Sequence, residues 1–392
     1  MRLPNPIKPA QIAFSLSVLA LTLGIGACQG PAANNTTTPE GNTASPEGNA
    51  ASEGGNTASE GTGKLALTQT VNLTGAGATF PAPIYQRWFQ EFNQKTPQVR
   101  TNYQSVGSGA GVQQFSSGTV DFGASDVAMT DEEIKAMNQE VLMLPMTAGG
   151  IVLAYNLPGV ESGLKLPREV YVDILLGEIT QWNDPRIAEA NPGVTLPDQA
   201  IAVVYRSDGS GTTGVFTQHL SAISEKWKEQ VGEGKTVEWP TGIGGKGNEG
   251  VTASIQQTVG AIGYVEYGYA KNNNISMAAL QNKSGNFVSP SDEAASKTLA
   301  AVELPDNLRA FIADPEGPDS YPIVSYTWLL AYQQYSDPQK AQALEAVIEY
   351  GLNEGQKLAP DLGYIPLPVN VRQKVAEKAD VISAEYDIEV SE

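Results

Sequence analysis

Between positions 206 and 216 the chain reads RSDGSGTTGVF: an arginine and an aspartate two residues apart, then small glycine, serine and threonine residues. A guanidinium is a planar fork of N–H donors that matches a tetrahedral oxyanion, and a carboxylate two residues on can hold that fork still. Glycines let the backbone approach a ligand closely, and the hydroxyls of Ser207, Ser210, Thr212 and Thr213 add further donors. This set suits the capture of an anion. The competing reading of Arg206 and Asp208 is a solvated surface pair, worth under about 1 kcal/mol.

The elements around this stretch repeat. VNLTGAGATFPAPIYQRWFQEFNQ reads as a strand over residues 71–74, a glycine loop, and a helix with Ile84, Tyr85, Trp88, Phe89 and Phe92 on its apolar face. Pro81 and Pro83 suit the start of that helix. VRTNYQSVGSGAGVQQFSSG repeats strand, Ser/Gly loop and helix, and IAVVYRSDGSGTTGVFTQHL does so a third time. VDFGASDVAMTDEE reads as a strand ending at Ser125 and Asp126, with Thr130 and Glu133 at capping-box spacing.

A helix N-terminus presents unpaired N–H groups and a partial positive charge, so each loop is a candidate anion cradle. One such loop is ordinary capping; three alike, with Arg206 and Asp126, point to a site. Asp126 is the odd member, because a carboxylate beside an oxyanion needs a proton between them. Its other reading is a cap for the helix near Thr130. Strands alternating with helices predict an α/β fold with parallel sheets, whose ligands sit at the carboxyl ends of the strands. No G-x-x-x-x-G-K-[ST] loop is present, and GAGATF lacks the last glycine of the dinucleotide pattern.

Arg2, Lys8 and the apolar run over residues 12–27 read as a signal peptide, too short for a comfortable membrane span. It ends in IGAC, similar to a bacterial lipobox, so Cys28, the sole cysteine, is the expected lipid-attachment point; an ordinary signal peptide or a buried thiol is the alternative. Residues 28–68 form a low-complexity tether expected to stay disordered, with EGNTASP, EGNAASE and GGNTASE repeating at a period of seven. The body that follows, roughly 320 residues, favours two domains. A formal charge of −19, two units lower without Arg2 and Lys8, excludes the nucleic-acid binders.

LTGAGATFPAPIYQRWF, VGSGAGVQQF, VDFGASD, IAVVYRSDGSGTTGVF, GGKGNEGV and GAIGYVEYGYA occur in that order and cover nearly the whole body. Together they resemble the phosphate-binding protein of the high-affinity bacterial phosphate ABC transporter, the Pst type. The resemblance implies an α/β, two-lobed Venus-flytrap fold of the periplasmic-binding-protein class (type II), each lobe a mainly parallel sheet flanked by helices. Lobe 1 would be residues 69–148 plus 321–392 and lobe 2 residues 149–320, with crossings near 148–150 and 321–322. It implies phosphate contacts from Thr79, Phe80 (through its N–H), Ser108, Asp126, Arg206, Ser210, Gly211 and Thr212, with Asp208 orienting Arg206. Where the family commonly carries a second serine, Gly109 stands, so only a backbone contact is expected there. The implied partners are inorganic phosphate and the permease subunits of the transporter. The expected protein is a monomer without a cofactor, in the cell envelope, facing the periplasm or the exterior and held to a membrane by its lipid.

Other functions fit less well. A receptor for another tetrahedral oxyanion is the nearest alternative. A secreted phosphate-ester hydrolase is further off, because the glycine loops hold no G-x-S-x-G elbow and the one histidine, His219, lies well along a helix. No H-E-x-x-H pattern or carboxylate–histidine cluster suggests a metal, and no catalytic residue is assigned. A structural lipoprotein with a vestigial site would bury many donors to no end. The tyrosines of YVEYGYA are expected in packing, in a strand-then-turn context, and GEITQWNDPRI in a surface helix and turn.

Overall fold

The computed structural model describes residues 65–391. The expected signal peptide, Cys28 and nearly all of the tether lie outside the described residues. Residues 65–68, assigned to the tether, already sit on the body: Leu65 and Leu67 pack against the core. Thr68 is tied to Gln339, its N–H donating to Oε1 at 3.2 Å and its hydroxyl accepting from Nε2 at 2.7 Å. Two leucines at alternate positions give this short segment apolar surface that the tether before it lacks.

Twelve strands run through the described residues: β1 (Val71–Gly77), β2 (Val99–Ser105), β3 (Phe122–Ser125), β4 (Val141–Asn156), β5 (Lys165–Leu166), β6 (Ala202–Arg206), β7 (Ile243–Gly245), β8 (Ala261–Glu266), β9 (Ser276–Met277), β10 (Ala279–Gln281), β11 (Phe287–Val288) and β12 (Val324–Tyr332). The main sheet has the order β2-β1-β3-β12-β4-β8-β6-β7, with β9 also on β4, and β11-β10-β5 form a small second sheet. β4 holds the main sheet together. Its residues 141–150 pair antiparallel with β12, and its residues 151–156 pair antiparallel with β8.

The sheet therefore has two halves that share one strand. In one half β1 pairs parallel with β2 and β3; in the other, β6 pairs parallel with β7 and β8. Antiparallel pairing enters through β4 and β12, the two strands in the middle of the order, and β4 itself runs from one half into the other. β4 is buried along almost its whole length and so lacks the alternation of a half-exposed strand.

The strand–loop–helix units follow the predicted order, but β1 runs on through Gly75, Ala76 and Gly77, which the sequence assigns to the loop. The first helix, Ala82–Lys95, takes Pro81 as its N-cap and buries Ile84, Tyr85, Trp88, Phe89 and Phe92. Each such side chain gains about 1.5–3 kcal/mol from burial. Trp88 also donates from Nε1 to the Gly355 carbonyl at 2.8 Å, joining this helix to the C-terminal region. That region returns to the first half: the Ile365 N–H donates to the Ala148 carbonyl at 2.8 Å, and the Tyr364 hydroxyl to the Phe80 carbonyl at 2.6 Å.

Three side readings resolve here. His219 is wholly buried, between the Tyr171 hydroxyl at 2.9 Å and the Ala313 carbonyl at 2.7 Å, and burial pushes it down to about 4, so it is a neutral core residue. Within YVEYGYA, β8 runs into a helix, Tyr267–Asn272, where a turn was expected; Glu266 caps it by accepting from the Gly268 N–H. In GEITQWNDPRI, Asp184 caps the helix Pro185–Ala190, but Trp182 is buried with its Nε1 on the Gly260 carbonyl at 2.9 Å. That stretch is partly core, not only surface. Among the described residues no helix is long and apolar enough to cross a membrane, and no group of His, Cys, Asp and Glu could hold a metal ion.

Candidate functional site

The expected loops converge at the carboxyl ends of β1, β2, β3 and β6, where open α/β sheets place ligands. Thr79 follows β1, and Ser108 opens the helix after β2. Asp126 follows β3, and Arg206 ends β6. Ser210, Gly211 and Thr212 form the N-terminus of the helix Gly211–Ile223. Thr79, Ser108, Asp126, Arg206, Ser210 and Thr212 are all buried, so the two halves are closed on one another.

Arg206 is held on every side. Its Nε and Nη2 donate to the two oxygens of Asp208 at 2.8 and 2.6 Å, and its Nη1 to the Thr212 hydroxyl at 3.3 Å. Its side chain is 1% exposed, which rules out the solvated surface pair. Asp208 also accepts from the Gly247 N–H at 3.0 Å. Burial pushes the Asp208 carboxyl up, but the Arg206 hydrogen bonds and charge, with the Gly247 N–H, outweigh it and hold the group below its ordinary value.

Asp126 has the opposite balance. Thr327 donates to its Oδ1 at 2.9 Å and Ser108 to its Oδ2 at a long 3.4 Å. Burial raises this carboxyl to about 7, against the lowering pull of Thr327, Arg206, Ser108 and Thr212. It is no helix cap: Thr130 caps the helix Asp131–Lys135 by accepting from the Glu133 N–H, and Glu133 reciprocates to Thr130. Asp126 is thus a carboxyl that holds or releases a proton near neutrality inside a ring of donors.

Ser210 takes the N-cap position, its Oγ accepting from the Thr213 N–H at 3.0 Å, which leaves the O–H itself to donate. The first-turn N–H groups of Gly211 and Thr212 lack intrahelical acceptors by geometry. The Phe80 ring packs near Tyr364, at 6.3 Å between centroids, and its carbonyl accepts from the Tyr364 hydroxyl. Asp208, the expected support for Arg206, is in place.

Two glycines set the approach of the halves. A Cβ on Gly211 would overlap Ser108 Oγ and lie 2.8 Å from the Asp126 Cβ, so only glycine lets the helix N-terminus meet Asp126. Gly107 sits at φ +93°, and a side chain there would overlap the Asp208 carboxylate. Gly109 departs from expectation. Its N–H donates to the Gly209 carbonyl at 2.8 Å, so this backbone group joins the halves instead of contacting a ligand.

Two participants were not assigned from sequence. Asn248, wholly buried, donates from Nδ2 to Thr79 Oγ1 at 2.8 Å and to Thr212 Oγ1 at 3.2 Å. Its signal was legible, since GGKGNEGV is a fourth strand, glycine loop and helix, realised as β7 and the helix Gly247–Gln257. Thr327 carries no such signal. It lies within β12 and reaches Asp126 only because Trp328 pairs with Ser125 across the sheet.

Residues 38–354 match the PBP superfamily domain. Over 311 residues the chain is 46% identical to the phosphate-binding protein PstS of Pasteurella multocida, covering 79% of this chain and 90% of that one. It is 38% identical to PstS of the archaeon Methanocaldococcus jannaschii, over 77% of this chain and 84% of that one. Among solved structures, a phosphate-binding protein from Stenotrophomonas maltophilia superposes with a TM-score of 0.62 at 17% identity, over 81% of this chain and 99% of that one. That likeness establishes the two-lobed α/β fold. With 38–46% of the aligned residues shared with these relatives over most of both chains, and with its loops closed around one buried donor set, this chain belongs to the PBP superfamily and, within it, to the PstS phosphate-binding proteins.

Proposed function

We propose that this protein binds inorganic phosphate with high affinity outside the cytoplasm and delivers it to the permease of an ABC-type phosphate transporter, as a binding protein and not as an enzyme. The relatives named above support the ligand, and one observation carries it: Asp126 is buried beside Arg206 with its carboxyl raised to about 7. Phosphate near neutral pH keeps a proton that can lie between the two. Thr79, the Phe80 N–H, Ser108, Ser210, the Gly211 N–H and Thr212 donate to the remaining oxygens, and Arg206, steadied by Asp208, supplies the charge.

The lobes are residues 69–148 with 321–392, and 149–320. Closure turns on residues 148–150 of β4 and on residues 321–322, where the Tyr321 hydroxyl donates to the Ile151 carbonyl at 3.2 Å. Cys28 carries the lipid that holds the monomer to a membrane. Titration calorimetry on protein stripped of carried-over ligand tests the function, with phosphate, arsenate, sulfate and molybdate as the panel. Phosphate and arsenate are expected to bind well ahead of the unprotonated oxyanions. Sulfate or molybdate binding as tightly as phosphate would overturn the reading, and release of phosphate from an ester would overturn the non-enzymatic role.

A further inference from the structure

We infer that Asn248 is a positioning residue that turns the hydroxyls of Thr79 and Thr212 into obligate donors and so makes the cleft specific for an acceptor-rich oxyanion. The inference rests on the phosphate-binding reading and adds to it a residue that does not itself touch the anion. A threonine hydroxyl has one hydrogen to give and two lone pairs to receive, and by itself it can face a ligand either way.

Here the lone pairs are taken. Thr79 Oγ1 accepts from the Asn248 backbone N–H at 3.1 Å and from Asn248 Nδ2 at 2.8 Å. Thr212 Oγ1 accepts from Asn248 Nδ2 at 3.2 Å and from Arg206 Nη1 at 3.3 Å. The only valence left to each hydroxyl is its hydrogen, which must point away from these donors. For Thr212 that direction includes Asp126, whose carboxyl it helps to hold down.

The amide cannot reverse this arrangement by flipping. Its Oδ1 accepts from the Glu266 N–H at 2.9 Å, and a flip would set two donors against each other there. Both Nδ2 hydrogens are therefore committed, one to each threonine. The two threonines also lie on different sides of the cleft. Thr79 follows β1 in the first half, while Thr212 and Asn248 belong to the second, so Thr79 gains its fixed polarity only when the halves meet. Closure and the orientation of the donor are one event.

A calorimetric titration of phosphate into wild type, Asn248→Ala, Thr79→Val and the double variant tests this. Asn248→Ala and Thr79→Val should each weaken binding roughly 10- to 100-fold, the range of one hydrogen bond to a charged group. The double variant should lose less than the product of the two single losses, because the part of Asn248's effect that runs through Thr79 is already gone in Thr79→Val, while the part through Thr212 remains. Asn248→Asp keeps the shape and the bond to the Glu266 N–H but presents an acceptor to both hydroxyls once ionised. Its phosphate affinity should fall at least tenfold more than that of wild type between pH 5 and pH 8. This pH profile stands alone if the alanine variant does not fold, and a purely structural role would not move it.

Losses that simply multiply in the double variant, an unchanged affinity in Asn248→Ala, or a wild-type pH profile in Asn248→Asp would each overturn the inference while leaving the function intact. A wild type that takes up no phosphate would overturn both.

Discussion

A carboxyl among anion donors is tolerable when a proton sits between it and the ligand, and Asp126 is tuned for this by burial. The same tuning has a cost in the ligand-free protein. The folded value of about 7 exceeds the ordinary 3.8, so between these values the unfolded chain releases a proton that the folded chain retains. Stability from this group is full below about pH 4 and is lost as the pH rises toward 7. Asp126→Asn, measured by thermal unfolding in phosphate-free buffer, should be the more stable protein at pH 8, by up to a few kcal/mol at about 1.4 kcal/mol per pKa unit. The advantage should vanish near pH 4, and equal stability at pH 8 would contradict the raised value. Bound ligand reverses the benefit. The same variant should bind phosphate more weakly and lose much of its preference over sulfate, a preference that sites built on a hydrogen-bond partner can carry to about 10⁴. An unchanged affinity ratio would leave selectivity to the loops alone.

At the scale of elements, the mouth of the cleft has its own link between halves. Lys235 Nζ meets Glu133 Oε1 at 2.7 Å, with both side chains part-exposed. Glu133 belongs to the helix Asp131–Lys135 just past Asp126, and the Lys235 carbonyl accepts from the Ser210 N–H at 2.8 Å. Its position ties the pair to closure, while its exposure limits it to about 0.2–1 kcal/mol. Lys235→Gln should speed phosphate release by up to about fivefold in a stopped-flow displacement experiment, and added salt should do the same to wild type but little to the variant. Release rates indifferent to both changes would assign the pair to surface decoration.

For the whole molecule, function depends on one curved sheet whose halves share β4 and close over a buried site. Scattering profiles should therefore report compaction on adding phosphate, as hinge closure around a ligand requires. Gly211→Ala separates closure from folding. The three atoms nearest its added methyl are Ser108 Oγ and the N and Cβ of Asp126, all across the cleft. The ligand-free variant should unfold near the wild-type temperature yet bind phosphate roughly 10- to 100-fold more weakly, the range of a forced overpacking, with little compaction. Normal binding with full compaction would show that the contact yields easily.

The sequence by itself determined the local units and their polarity. Glycine loops between strands and helices, the apolar face from Ile84 to Phe92, the Thr130–Glu133 capping box and the Arg206–Asp208 spacing all act within a few residues, where geometry follows from covalent connection. Those units hold the residues expected to bind, and the glycine loop of Asn248 is one more of the same kind. Tertiary structure decided what depends on distant segments. It placed Thr327 against Asp126 by strand register 201 positions along the chain, and turned the Gly109 N–H to the Gly209 carbonyl. It also ran β4 through both halves, and set the proton affinity of Asp126 by burial. Desolvation, register and the approach of two backbones are properties of assembled surfaces, and no stretch of chain carries them alone.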